Sequence, residues 1–347
     1  MAGKRIGQQT ILLPMKPAVC AGAACVGPKE GEGPLGKAFD KATDDELFGQ
    51  QTFELAERQM VLEAARMAIR KASLRESDIQ FFMGGDLLNQ IISSSFAARE
   101  LAVPFIGLYG ACSTMSESLC LGGMLVDGGH ADHVVCVASS HFCTAERQYR
   151  FPLEYGNQRT PTAQWTVTGA GATVLSLSPK TPPMARITHV CMGRVVDLGV
   201  NDANNMGAAM APAAADTLLA LFEDTRTSPA DYDLIVTGDL GQVGHDLLLK
   251  LMDEQGTPLM PERYQDCGLM IYAPEQDTHA GGSGCGCSAS VLNGYLLPRI
   301  QQGDIRRMIF MATGALMSTT SSQQGESIPG VAHAVVLESP VEKGRME

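Results

Sequence analysis

Apolar and polar positions follow one order along this chain, and that order is written twice. In the first half, residues 53–72 place Leu55, Met60, Leu62, Ala65 and Ile69 on one broad face at helical spacing. An apolar strand follows and ends in Gly85-Asp86-Leu87. In the second half a helix over residues 212–222 precedes an apolar strand that ends in Gly238-Asp239-Leu240. The match continues downstream. Residues 120–141 read as a helix, the turn Asp127-Gly128-Gly129 and a strand; residues 294–315 read as a helix, Gln302-Gly303-Asp304 and a strand. A third pairing sets strand 169–175 against strand 331–337.

Matched strand ends recurring in one order signal a duplicated architecture. Strands rich in Val, Ile and Phe alternating with amphipathic helices imply βαβ units with buried sheets, one in each half. The expected body is α/β and five-layered, αβαβα, with halves over residues 1–180 and 181–347 and a site where they meet. Three stretches suit neither period and read as connectors: 27–52, punctuated by Gly and Pro; 142–165, which mixes Glu146, Arg147, Tyr149, Arg150, Phe151, Tyr155, Arg159 and Trp165; and 318–330, rich in Ser, Thr and Gln.

Composition narrows the classes. With 347 residues, 45% apolar and 18% charged, the chain can bury a large core. A net charge of −12 repels phosphate backbones, so a nucleic-acid partner is not expected. Ten scattered cysteines fit a reducing compartment better than a disulfide framework. No apolar run reaches the roughly 18 residues of a membrane span. Lys4 and Arg5 ahead of Ile11, Leu12 and Leu13 mimic a secretory signal, but Pro14 and Lys16 interrupt it, and the segment reads as a mature N-terminus.

Chemistry concentrates at Cys112. A strand over 101–108, the turn Tyr109-Gly110-Ala111 and a helix over 113–125 put this cysteine at a helix mouth, where free N–H groups and the dipole favour a thiolate. Ser113 and Thr114 offer capping hydroxyls. The second half has a matching glycine-rich turn, residues 281–290 with Cys285 and Cys287, so both turns are expected on one cavity.

Gly110-Ala111-Cys112-Ser113 before a helix, residues 168–172 before a strand and the second glycine-rich turn together resemble the thiolase and ketoacyl-synthase superfamily over nearly the whole chain. More closely, residues 84–90, 144–148, 205–216 and 324–329 resemble the stage V sporulation protein AD family. That resemblance implies binding of dipicolinic acid (pyridine-2,6-dicarboxylate), a part in its uptake into the developing spore, a homodimer, and membrane-embedded stage V sporulation partners. It also implies a peripheral place on the cytoplasmic side of the forespore inner membrane.

The superfamily's condensing chemistry needs donors for a thioester oxyanion. Its pattern puts a His after the strand that here is 234–236 and an Asn in the second glycine turn; this chain has Thr237-Gly238-Asp239 and Gly284-Cys285-Gly286. A carboxylate repels the developing charge, and a thiol donates poorly. The thiolase variant lacks its second cysteine, since the chain reads Ala312-Thr313-Gly314-Ala315, and His279 stands before the glycine run. His245 and His333 read as structural.

The expectation is therefore a binding protein without turnover and without a cofactor, the rival being an acyltransferase or thioester hydrolase that uses Cys112. A flat dianion needs an aromatic slot with donors at both ends. The expected ligand set is Cys112, Ser140, His141, Arg147, Gln164, Asn205, Asp239 and Cys285, with Ser139, Arg150 and Asn204 beside it. Calcium could accompany the ligand, yet no run has the spacing of a calcium loop.

Overall fold

A computed structural model describes residues 4–149 and 159–341. Strands β1 (Ala18–Val26), β2 (Phe81–Gly85), β3 (Phe105–Gly107), β4 (His133–Ser140) and β5 (Gly169–Ser176) form the first-half sheet, in spatial order β3-β2-β4-β5-β1. Strands β6 (Ala185–Met192), β7 (Leu234–Thr237), β8 (Tyr264–Asp266), β9 (Arg307–Ala315) and β10 (Gly330–Glu338) repeat it as β8-β7-β9-β10-β6. In each sheet the first three strands run parallel and the last two join antiparallel. The sheets are stitched at β1 and β6 by Val19 opposite Ala185 and Ala18 opposite Arg186. The aligned runs occupy equivalent strands: β2 matches β7, β4 matches β9, and β5 matches β10.

Helices make three of the five layers. Helix α1 (Phe53–Lys71) and α2 (Ile92–Leu101) cover one outer face. Between the sheets lie α3 (Thr114–Asp127) and, from the second half, α7 (Cys285–Val291), continued through a π turn at Leu292–Leu296 into α8 (Leu297–Gln302). Helix α5 (Met206–Thr225) and α6 (Gly241–Glu254) cover the other face. A short helix α4 (Phe142–Tyr149) opens the second connector.

Three local readings need correction. The strand expected over 101–108 is only β3, because α2 runs on to Leu101, is closed by Ala102 in the left-handed region (φ 54°), and Pro104 then forces extension. The helix expected from residue 212 begins at Met206: Asn205 caps it by accepting from the Ala208 N–H at 3.3 Å, and Pro212 lies inside. Its buried face of Ala209, Met210, Ala213, Ala214 and Leu218 outweighs the hydrogen bond that Pro212 forfeits. Connector 27–52 is partly core, since Glu30 is buried and accepts from the Tyr272 hydroxyl and the Thr168 N–H.

Candidate functional site: the Cys112 pocket

The Cys112 turn is built by strain and close approach. Ala111 holds φ 50°, a conformation costly for a residue with a Cβ, and Ala111–Ser113 form a single 3-10 turn before α3. Strand β9 closes on this turn at Gly314, where a Cβ would fall 2.2 Å from the Gly110 carbonyl oxygen. Opposite, Gly284 adopts φ 94° ahead of α7, and a Cβ there would meet Ser140 Oγ at 2.6 Å. The two turns converge as the repeat requires.

Cys112 is buried beside the carboxylate of Asp239, near enough for each to act on the ionisation of the other. Asp239 is fully buried at the end of β7. It also accepts from the Gly284 N–H at 2.8 Å, Thr313 Oγ1 at 3.1 Å and Ser283 Oγ at 3.4 Å. Burial raises its pKa to about 7; the Cys112 side chain and the Gly284 and Thr313 hydrogen bonds pull it back, while Asp266 pushes it up. For Cys112, burial first, then the negative charge at Asp239 and the neighbouring Cys285, hold the pKa well above the ordinary thiol value. The thiolate expected at the helix mouth is therefore corrected to a thiol. The capping hydroxyls are engaged elsewhere: Ser113 Oγ donates to the Gly110 carbonyl at 2.7 Å and Thr114 Oγ1 to the Ala111 carbonyl at 2.8 Å.

Above Cys112 lies a pocket of about 460 Å³ together with its open mouth. Leu87, Ala111, Ala145, Met206, Ala315 and Met317 make its apolar walls. Tyr109, Tyr149, Thr166, Ser283 and Glu146 supply its polar edges. The tyrosines have a fixed polarity. Tyr149 donates to the Leu87 carbonyl at 2.5 Å, so the 2.7 Å bond between the two hydroxyls is donated by Tyr109. Gln148 ties the same loop, donating to the Leu87 carbonyl at 2.8 Å and accepting from the Asn89 N–H at 3.0 Å.

The other expected ligand residues are placed as follows. Ser140 is buried and donates to the Val167 carbonyl at 2.6 Å while accepting from the Gly286 N–H at 3.1 Å. Cys285 turns its sulfur to the Ser139 carbonyl at 2.9 Å. Gln164 donates to the carbonyls of Asp239 and Gly282, both at 2.7 Å, and so braces the floor. His141 faces away: Nε2 meets the Glu46 carbonyl at 2.9 Å, Nδ1 accepts from the Cys143 N–H, and the ring packs on Phe53. Arg147 points outward to an ion pair with Glu54, the opposite side of α4 from Ala145 and Tyr149. Asn205 is spent as a helix cap, although its neighbour Met206 reaches the pocket. Arg150, Phe151 and Tyr155 lie outside the described residues.

The structural reading of two histidines agrees with their surroundings. His333 accepts from the Gly193 N–H at 3.1 Å, and His245 stacks on Tyr264 at 4.6 Å. What residue pattern alone misses is Met206, Met317, Leu87 and Ala315, which carry no chemical signal. Glu146 and Tyr149 stand in the connector expected over 142–165, but its opening turns Phe142–Tyr149 are helical, which adds Ala145 to the same wall.

The family model described as stage V sporulation protein AD matches residues 7–338. The stage V sporulation protein AD of Bacillus subtilis (strain 168) is 45% identical over 335 residues, covering 96% of this chain and 98% of that protein. Solved structures share the fold at low identity. Acetyl-CoA acetyltransferase from Syntrophomonas wolfei has a TM-score of 0.61 at 9% identity, over 94% of this chain and 99% of that one. Human mitochondrial 3-ketoacyl-CoA thiolase gives 0.60 at 13%, over 98% and 100%. The 3-oxoacyl-[acyl-carrier-protein] synthase III of Aquifex aeolicus VF5 gives 0.55 at 13%, over 93% and 99%. With a thiolase-like body and a match to the family model over residues 7–338, this chain belongs to the stage V sporulation protein AD family.

Proposed function

We propose that the chain is a binding protein without turnover, and that the pocket over Cys112 holds dipicolinate on its way into the developing spore. The observation that carries the reading is the fully buried Asp239 carboxylate beside Cys112, fixed there by the Gly284 N–H and the Thr313 hydroxyl. Acyl transfer needs a thiolate and donors for the oxyanion; here an acceptor occupies the donor position and keeps the sulfur protonated. What is left is a recess with apolar walls and hydroxyl edges, suited to a flat ring.

Two expectations about assembly belong to the same proposal. The chain acts as a homodimer: β3 is an edge strand that pairs only with β2 among the described residues, and Ile92 and Phe96 of the adjoining α2 are exposed. It works peripherally, on the cytoplasmic side of the forespore inner membrane beside membrane-embedded stage V sporulation proteins. Among the described residues no helix is long and apolar enough to cross a membrane.

Trp165, the only tryptophan, precedes the wall residue Thr166, so ligand binding should alter its emission. The test is fluorescence titration with calorimetry, using dipicolinate and the 3,5-isomer as control. Saturable binding of one dipicolinate per chain, weakened at least tenfold by filling the pocket with Ala145→Phe, is expected. No binding by the folded protein, or a stoichiometric acyl adduct on Cys112 after brief exposure to acyl-CoA, would overturn the proposal.

A further inference from the structure

Asp239 stands one hydrogen bond behind the pocket floor. One of its donors, the Ser283 hydroxyl at 3.4 Å, is itself a lining residue, as is the neighbouring Cys112. The groups acting on it are Cys112 from the turn before α3, Asp266 at the end of β8, Cys285 and Cys287 from α7, and Cys267 from the turn after β8. None of these is a cation. On the wall itself the charged residue among those described is another acid, Glu146, and Arg147 is turned away to Glu54.

An aromatic dicarboxylate is fully ionised above pH about 6, so it brings negative charge toward a buried carboxylate. Two like charges at low dielectric resist coexisting, and the cheaper course is for one of them to take a proton. Glu146 lies at the side wall, whereas Asp239 lies under the floor, fully buried, with a pKa already near 7. Its environment has already brought it to the edge of protonation.

We propose that an anionic ligand enters the Cys112 pocket together with one proton, and that the proton lodges on Asp239. The balance is simple: the Asp239 carboxylate takes a proton from solvent buffer, forming one O–H bond, and the pocket's net charge changes by one unit less than the ligand carries. Once protonated, the acid can turn its O–H toward the Cys112 sulfur, so the floor loses a negative charge without moving an atom of the backbone. The proposal rests on the reading of the pocket as a dipicolinate site and adds its ionic form.

Linkage gives the sign. Above the ligand-free pKa of Asp239, about 7, affinity should fall about tenfold per pH unit; below it, affinity should level off because the acid is already protonated. Calorimetry on the full chain with dipicolinate, from pH 6 to 8.5 in phosphate and in Tris, measures this directly. The expected result is a buffer-dependent enthalpy corresponding to nearly one proton taken up at pH 8 and almost none at pH 6. Asp239→Asn should bind with a pH-independent affinity and no buffer dependence, while Glu146→Gln, whatever its absolute affinity, should retain the pH dependence and the proton uptake.

Infrared difference spectra of the unmodified protein supply a readout that needs no variant. Ligand addition at pH 8 should raise a protonated-carboxyl C=O band. Tight binding with flat pH dependence and no buffer effect would overturn the proton coupling and leave the dipicolinate site intact. Loss of the coupling in Glu146→Gln but not in Asp239→Asn would overturn the assignment to Asp239. Absence of binding at every pH would remove the underlying site as well.

Discussion

The carboxylate of Asp239 lies buried beside Cys112, and a negative charge in that place opposes the thiolate. A cysteine at a strained turn before a helix is arranged for reactivity. Here burial and a carboxylate neighbour reverse the arrangement, because both disfavour the thiolate.

Alkylation kinetics should follow. Iodoacetamide at pH 8 should modify Cys112 more slowly than a free thiol, and Asp239→Asn should speed the reaction at least tenfold by removing the charge that opposes the thiolate. The readout is the mass of the Cys112 peptide against time; equal rates in the two proteins would refute the electrostatic account.

The tyrosine relay holds the pocket rim. Tyr149→Phe removes the hydrogen bond to the Leu87 carbonyl and the acceptor of Tyr109, at a cost of about 1 kcal/mol of stability. Denaturant unfolding checks the stability, and the 87–91 backbone should gain amide exchange. An unchanged unfolding midpoint would mean the relay is ornamental.

Gly286 is required for packing of α7 on the first-half sheet. A Cβ there would come 2.4 Å from the Gly169 carbonyl oxygen and 2.6 Å from Ser140 Oγ. The backbone contact cannot yield cheaply, so Gly286→Ala should cost about 2–3 kcal/mol and widen or close the pocket floor. Thermal melting alongside the Gly129→Ala control, a loop position with nothing near its Cβ but a φ of 73°, separates packing from backbone strain.

Three buried carboxyls make stability depend on pH. Burial raises Glu30 and Asp239 to about 7, and burial followed by the charge of Asp86 raises Glu57 to about 8. Each raised value means the folded chain holds protons that the unfolded chain releases. This contribution is full below about pH 4 and is lost as pH rises through 7 to 8. The melting temperature should decline across that window. Glu57→Gln should flatten the decline and gain on the order of 1–2 kcal/mol at pH 8.5. A parallel pH profile in the variant would show that Glu57 is ionised throughout.

The site was partly legible. Cys112 and the turns at 238–239 and 284–287 were placed together correctly, because strand ends in a duplicated α/β body must converge on the sheet edge. The ligand roles expected of His141 and Arg147 met different surroundings. His141 ends β4 as expected, but the packing of Phe53 and the Glu46 carbonyl on its ring turns it from the cavity. Arg147 shares its helix with Tyr149, yet two positions of helical rotation carry it to the opposite side.

Periodicity and the doubled Gly-Asp strand ends determined by themselves the layer order, the internal repeat and the position of the cysteine, since these follow from which residues must leave water. Asp86 and Asp239 end equivalent strands with the same local sequence, yet their partners differ. Asp86 accepts the backbone N–H groups of Leu88 and Ser94, while Asp239 takes the backbone N–H of Gly284 and the hydroxyl of Thr313. Only tertiary structure decided that, because a buried carboxylate's partners come from whichever distant strand or turn the fold brings within hydrogen-bond reach, and no local spacing records them.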